Sequence, residues 1–237
     1  MFEIFKKNKK DNKNENKVFE HRILKTNIYK ELENDEEFIL FGCGCFWGAE
    51  KCFWKLPGVV TTSVGYSGGE KINPTYNEVC SGNTGHSEVV KVIWNNTKID
   101  ISDLLKMFWE CHDPTQKNRQ GNDYGTQYRS SIYYVKDSHK QIIENSKNSY
   151  QESLNNNNYD VIQTEITPLK NYYFAEEYHQ QYLSLKGSRQ YCSASPTNIK
   201  LEVFKDSNFK LDQNIWDNFD WTIDKCVLRS NNDQLKN

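Results

Sequence analysis

Phe38-Ile39-Leu40-Phe41-Gly42-Cys43-Gly44-Cys45-Phe46-Trp47-Gly48-Ala49-Glu50 runs as an apolar strand through glycines into what reads as the first turn of a helix. Cys45 falls at that junction. Unpaired backbone N–H groups and the positive end of the helix macrodipole favour thiolate over thiol there. Cys45 is therefore the candidate nucleophile.

Working outward, residues 36–41 form the first strand and 46–56 the first helix, stopped by Pro57-Gly58. Residues 59–66 are β-branched and end in Ser67-Gly68-Gly69, which predicts a second strand and a turn. Residues 87–94 form a third strand. Ser102 is expected to cap an amphipathic helix with Leu104, Leu105, Phe108 and Trp109 on one face, broken at His112-Asp113-Pro114. A long polar loop at 115–129 marks functional or disordered chain. A strand at 130–135, a polar helix at 138–154, a low-complexity link at 155–158, a strand at 161–166 and a short helix at 176–185 complete the order β-α-β-β-α-β-α-β-α. This order predicts an α+β two-layer sandwich with a mixed, ferredoxin-like sheet, helices mainly on one face and an irregular C-terminal tail.

The 237 residues allow one packed domain with tails. The expected division is a disordered polar lead-in at 1–34, one domain at 35–200 and an extension at 201–237. A net charge of −2 from 30 basic and 32 acidic side chains excludes a general polyanion-binding surface, so no nucleic acid partner is expected. Mean hydropathy is −0.86, and no run approaches the roughly 18 to 20 apolar residues of a membrane helix. The opening Met1-Phe2-Glu3-Ile4-Phe5 is too short for a secretory signal, so a cytoplasmic monomer is expected. Seven irregularly spaced cysteines, with no Cys-x-x-Cys pair, argue for reduced thiols of which one or two are reactive.

A thiolate at a helix start can attack an electrophilic sulfur and keep its oxygen as a sulfenic acid. Expelling that oxygen needs a proton donor, and Glu88, on the strand after Gly85-His86 with apolar neighbours such as Trp47, can stay protonated. The hydroxyls of Tyr76 and Tyr128 can donate to the oxygen, and Asp123 can order the surrounding donors. Phe46 and Trp47 can cage a methyl group. A second thiol must clear the sulfenic acid, and Cys192, after the last helix in a Ser/Gly stretch, is the candidate, with Cys226 in the tail as a further one. Cys43 and Cys45 share a strand face by alternation, but the turn at Gly44 is expected to separate them. His86 is expected to order its turn, and His112 and His179 to be structural.

Two other readings compete. A zinc-stabilised binding module could use Cys43, Cys45, Cys111 and His112, although adjacent Cys111 and His112 on a helix would point in different directions. A cysteine hydrolase could pair Cys45 with His86 or His112.

Gly44-Cys45-Phe46-Trp47-Gly48 resembles the A-type peptide methionine sulfoxide reductases. So do Gly65-Tyr66-Ser67-Gly68-Gly69, Asn73-Pro74-Thr75-Tyr76, Thr84-Gly85-His86-Ser87-Glu88, His112-Asp113-Pro114, Gln120-Gly121-Asn122-Asp123, Gly125-Thr126-Gln127-Tyr128-Arg129-Ser130 and His179-Gln180-Gln181-Tyr182, in that family's order. The likeness covers residues 36–192. It implies thiol-dependent reduction of the S epimer of methionine sulfoxide, free or in proteins, with no metal or organic cofactor. It further implies the acid role for Glu88, first recycling thiol for Cys192, and a thioredoxin-like reductant. Here Tyr191-Cys192 is followed by Ser-Ala-Ser-Pro, a departure from the glycine-rich run of many relatives.

Overall fold

The computed structural model describes residues 17–236, and the lead-in expected at 1–16 lies outside them. Strands β1 (Glu36–Cys43), β2 (Val59–Ser67), β3 (Ser87–Asn95), β6 (Ser130–Tyr134), β7 (Glu165–Pro168) and β8 (Tyr173–Phe174) form one mixed sheet in the order β7-β6-β1-β3-β2-β8. A separate ribbon pairs β4 (Arg119–Gln120) with β5 (Asp123–Tyr124). All neighbours in the large sheet are antiparallel except β6 and β7. The architecture is α+β.

Strand alternation sorts the two faces. Ile39, Phe41 and Cys43 of β1 join Val90, Val92 and Trp94 of β3 in the main core, whereas Leu40, Val89 and Tyr133 point the other way into a smaller cluster. Helices α1 (Phe46–Trp54), α3 (Ile101–Glu110) and α4 (Asp137–Asn156) contribute Phe53, Phe108 and Tyr150 to the main core. Trp109 donates its Nε1–H to Ser146 Oγ at 2.9 Å and so fixes α3 on α4. The short helix α2 (Tyr76–Cys80) begins in a capping box closed by Thr75 and Glu78.

Several boundaries differ from expectation for local reasons. Asp100, and not Ser102, caps α3: its carboxylate accepts from Ser102 N, and Asp103 closes the box. The strand expected at 161–166 lies at Glu165–Pro168, in register with its parallel partner β6. In place of a helix at 176–185, two 3-10 turns, Glu177–His179 and Tyr182–Ser184, flank Gln181 in the left-handed region at φ 47°. The Gln180 amide causes this break. It accepts from Val64 N at 2.9 Å and donates to Val64 O at 2.9 Å, so tertiary bonding to β2 replaces helix continuation.

Residues 17–34, expected within the disordered lead-in, pack on the sheet. Ile28 is fully buried, and the Tyr29 ring lies 4.5 Å from that of Phe174. Among the described residues beyond 200 the regular elements are the short helices α5 (Gln213–Trp216) and α6 (Cys226–Arg229), yet Leu201, Phe204, Leu211, Ile215, Phe219 and Trp221 are buried in the main core. Among the described residues no helix is long and apolar enough to cross a membrane.

Phe41 lies at the centre of this packing, stacked at 4.8 Å on Phe53 and 5.2 Å on Phe108, so it couples β1 to α1 and α3. Phe41→Ala removes that coupling, and urea denaturation is expected to report a loss of about 3–5 kcal/mol.

Candidate active site

Gly44, at φ +86°, turns the chain out of β1, and Cys45 then occupies the N-cap position of α1. The turn sends the neighbouring thiols apart, with Cys43 buried in the core and Cys45 largely covered at the helix mouth. All seven cysteines are free thiols. Cys45 supplies no side-chain cap. Glu88 fills that role from β3, accepting the Phe46 N–H at 3.0 Å.

The electrostatics correct the expectation of a ready thiolate. Burial pushes the Cys45 thiol well above its ordinary value, and the nearby Glu88 carboxyl adds to the push, while the backbone at Trp47 opposes it. Burial likewise raises Glu88 to about 8, against the lowering by the Phe46 N–H. Thiol and carboxyl both hold their protons at neutral pH.

Tyr76 and Tyr128 feel the Glu88 charge, and burial raises both phenols above their usual range, so both remain donors. Tyr76 begins α2 and Tyr128 ends the 3-10 turn Thr126–Tyr128, which brings two distant segments to one place. Phe46 is buried, with its ring 6.0 Å from Tyr66 and 5.2 Å from His179. Trp47 stacks on Tyr182 at 3.9 Å and donates its Nε1–H to His179 Nδ1 at 3.1 Å. That bond leaves the His179 proton on Nε2, which is buried without a partner. His179 also lies 4.4 Å from Tyr76, centroid to centroid. His179 and Tyr182 thus belong to the aromatic wall, and the signal for them lay in the His179-Gln180-Gln181-Tyr182 block.

Asp123 does not face open solvent donors. It accepts from Tyr191 Oη at 2.6 Å and from Ser193 Oγ, and so grips both neighbours of Cys192. Ser195 N adds a bond to Gln120 Oε1 at 3.0 Å. Cys192 is buried, pushed up to about 12 by that burial, and seated over α1: a β-carbon on Gly48 would stand 2.6 Å from its Sγ. Gly48 is one turn beyond Cys45 on the same helix face.

The other histidines are committed elsewhere. His86 Nδ1 accepts from Gly69 N and its Nε2 meets Lys71 O at 2.8 Å, which orders the turn as expected. His112 bonds Phe108 O and Ser130 Oγ. Neither is paired with Cys45 as a hydrolase would require.

The model of the family described as "Peptide methionine sulfoxide reductase" matches residues 37–213. A peptide methionine sulfoxide reductase MsrA of Vibrio vulnificus is 51% identical over 179 residues, 76% of this chain and 85% of the relative. One from Salinispora arenicola is 50% identical over 184 residues, 77% of this chain and 84% of the relative. Among solved structures, methionine sulfoxide reductase A of Corynebacterium diphtheriae superposes with a TM-score of 0.64 at 40% identity, covering 75% of this chain and 90% of that one. Reduced Mxr1 of Saccharomyces cerevisiae gives 0.61 at 38%, covering 65% and 87%. With a thiol, a protonated carboxyl and an aromatic wall at one helix mouth, and a family match across most of its length, this chain is an oxidoreductase that belongs to the peptide methionine sulfoxide reductase family.

Proposed function

We propose that the enzyme reduces the S epimer of methionine sulfoxide, free or in proteins, to methionine, with Cys45 as nucleophile and Glu88 as acid. The observation that carries this reading is the Glu88 carboxyl, buried at the start of α1 beside Cys45 and raised to about 8. The substrate methyl group rests against Phe46 and Trp47, while its oxygen accepts from Glu88, Tyr76 and Tyr128. As Cys45 sulfur bonds to the sulfoxide sulfur, Glu88 gives its proton to the oxygen and recovers one from the Cys45 thiol. The oxygen then leaves the substrate sulfur for the Cys45 sulfur as the bond between the two sulfurs breaks, giving methionine and a sulfenic acid. No net proton is consumed in that step.

Cys192 then condenses with the sulfenic acid, forming a Cys45–Cys192 disulfide and releasing water. Its seat over Gly48 and the Asp123 clasp on both its neighbours support this role. A thioredoxin-like dithiol returns the pair to thiols by exchange. We also read residues 35–200 as the catalytic domain, with the order β6-β1-β3-β2 as a ferredoxin-like plait covered by a helical layer, in a cytoplasmic monomer.

Cys45→Ser is expected to abolish methionine formation. Cys192→Ser is expected to yield one methionine per chain and then stop in the presence of a thioredoxin-like reductant, as counted by methionine release and thiol titration. Consumption of the R epimer alone would refute the stereochemical assignment.

The acid must carry its proton, so the rate is expected to fall as pH rises through about 8. Glu88→Gln keeps an acceptor for Phe46 N but donates no acidic proton. It should lower kcat about 100- to 10,000-fold and flatten that alkaline limb. In the same variant the charge that opposes the Cys45 thiolate is gone, so iodoacetamide should alkylate Cys45 faster than in the parent at pH above 8.

A further inference from the structure

On the main-core side of the sheet, before the Gly44 turn that leads to Cys45, three soft ligands converge. Cys43 Sγ, Cys111 Sγ and a ring nitrogen of His112 all lie within 4.8 Å of one another, and all three residues are buried. Adjacent Cys111 and His112 would diverge on a continuing helix, but α3 ends at Glu110 with Cys111 as its C-cap. The chain turns there, and the two side chains point to one spot with Cys43 at the end of β1. Cys45, expected among these ligands, is on the other side of the Gly44 turn.

We propose that Cys43, Cys111 and His112 form a zinc-binding site.

Tetrahedral zinc holds sulfur at about 2.3 Å and nitrogen at about 2.0 Å, which places its ligand atoms roughly 3.5–3.8 Å apart. The three atoms therefore need contract by no more than about 1.3 Å. The imidazole is already set for a ligand. Nδ1–H donates to the Phe108 carbonyl at 2.7 Å, so the Nε2 lone pair is the free one, and it now accepts from Ser130 Oγ at 2.8 Å. Ser130 has a second acceptor in Thr164 Oγ1 at 2.7 Å and can turn its proton there.

Charge decides for a divalent ion. Two thiolates and a neutral imidazole cancel a charge of +2, so the buried site stays neutral. Cys43 and Cys111 line a cavity of 180 Å³ that Cys52, Cys192 and the segment from Trp221 to Val227 also line. The ion would tie the end of β1 to the end of α3 and take no part in oxygen transfer.

The test uses the reduced full-length protein and cobalt(II) as a spectroscopic probe, followed by zinc. One cobalt per chain is expected, with thiolate-to-metal charge-transfer absorption in the near ultraviolet, displaced by one equivalent of zinc. Zinc should also raise Tm. Cys43→Ser and Cys111→Ser should each lose the absorption and the Tm shift while still reducing methionine sulfoxide, which shows them to be folded. Cys192→Ser should keep both signals. Absence of binding in the parent protein, binding unchanged in Cys43→Ser and Cys111→Ser, or binding lost only in Cys192→Ser would each overturn the site.

Discussion

A single hydrogen bond, Phe46 N–H to the Glu88 carboxyl at 3.0 Å, joins the start of α1 to β3 and sets the character of everything around it. The first N–H groups of any helix need acceptors, and Cys45 offers none. A carboxyl in that place is ordinarily pulled toward its charged form by the helix terminus. Burial wins here and holds Glu88 near 8. The same burial, with the same carboxyl beside it, keeps Cys45 a thiol. Two neighbouring acids that cannot both ionise are a store of one transferable proton, and that is the need of a reaction that expels oxygen from sulfur. Were Glu88 exposed, it would be a carboxylate at neutral pH and could give nothing.

A second buried carboxyl, Glu50 on α1, holds the aromatic wall in place. Glu50 accepts from Gln181 N at 2.7 Å, Gln181 Nε2 at 2.8 Å and Thr62 Oγ1 at 3.0 Å, and burial raises it to about 7 despite these bonds. Gln181 separates the two 3-10 turns that carry His179 and Tyr182, so α1 fixes the wall from beneath. The network continues into the N-terminal segment. His21 Nδ1 accepts from Ile23 N and Leu24 N, which leaves its Nε2–H to donate to Thr62 at 2.9 Å. The donors thus run in one sense, His21 to Thr62 to Glu50.

This explains what the sequence made legible and what it did not. β1, β2, β3 and β6 were legible as apolar or β-branched runs, because these strands are buried along most of their length, and α1 and α3 were legible from where Pro57-Gly58 and His112-Asp113-Pro114 end them. Cys45 and Glu88 were legible through the glycine turn and the motif blocks. His21, Ile28 and the aromatic residues beyond 200 were not, because they enter the core singly from irregular chain and leave no period to read. The break at Gln181 was hidden for another reason: it depends on where the Gln180 amide meets β2, a contact 116 residues away. Asp123 was placed near the site, but its partners Tyr191 and Ser193 follow only from the fold.

The segment around Cys192 shows how the thiol proposed for recycling is stationed without a glycine-rich tail. Tyr191 and Ser193 both bond to Asp123, and two glycines elsewhere make the space that this docking needs. Gly48 leaves room on α1 for Cys192 Sγ, and a β-carbon on Gly121 would fall 1.8 Å from the Ser193 carbonyl oxygen. Gly121 also sits at φ +57°, where only glycine avoids strain. The chain therefore relies on a fitted seat and a two-sided clasp in place of a loose tether. A buried thiol near 12 is a poor nucleophile while seated. In the proposed cycle its partner supplies the reactivity, because a sulfenic acid on Cys45 is itself the electrophile, and the step waits on oxygen transfer before the second thiol has anything to attack.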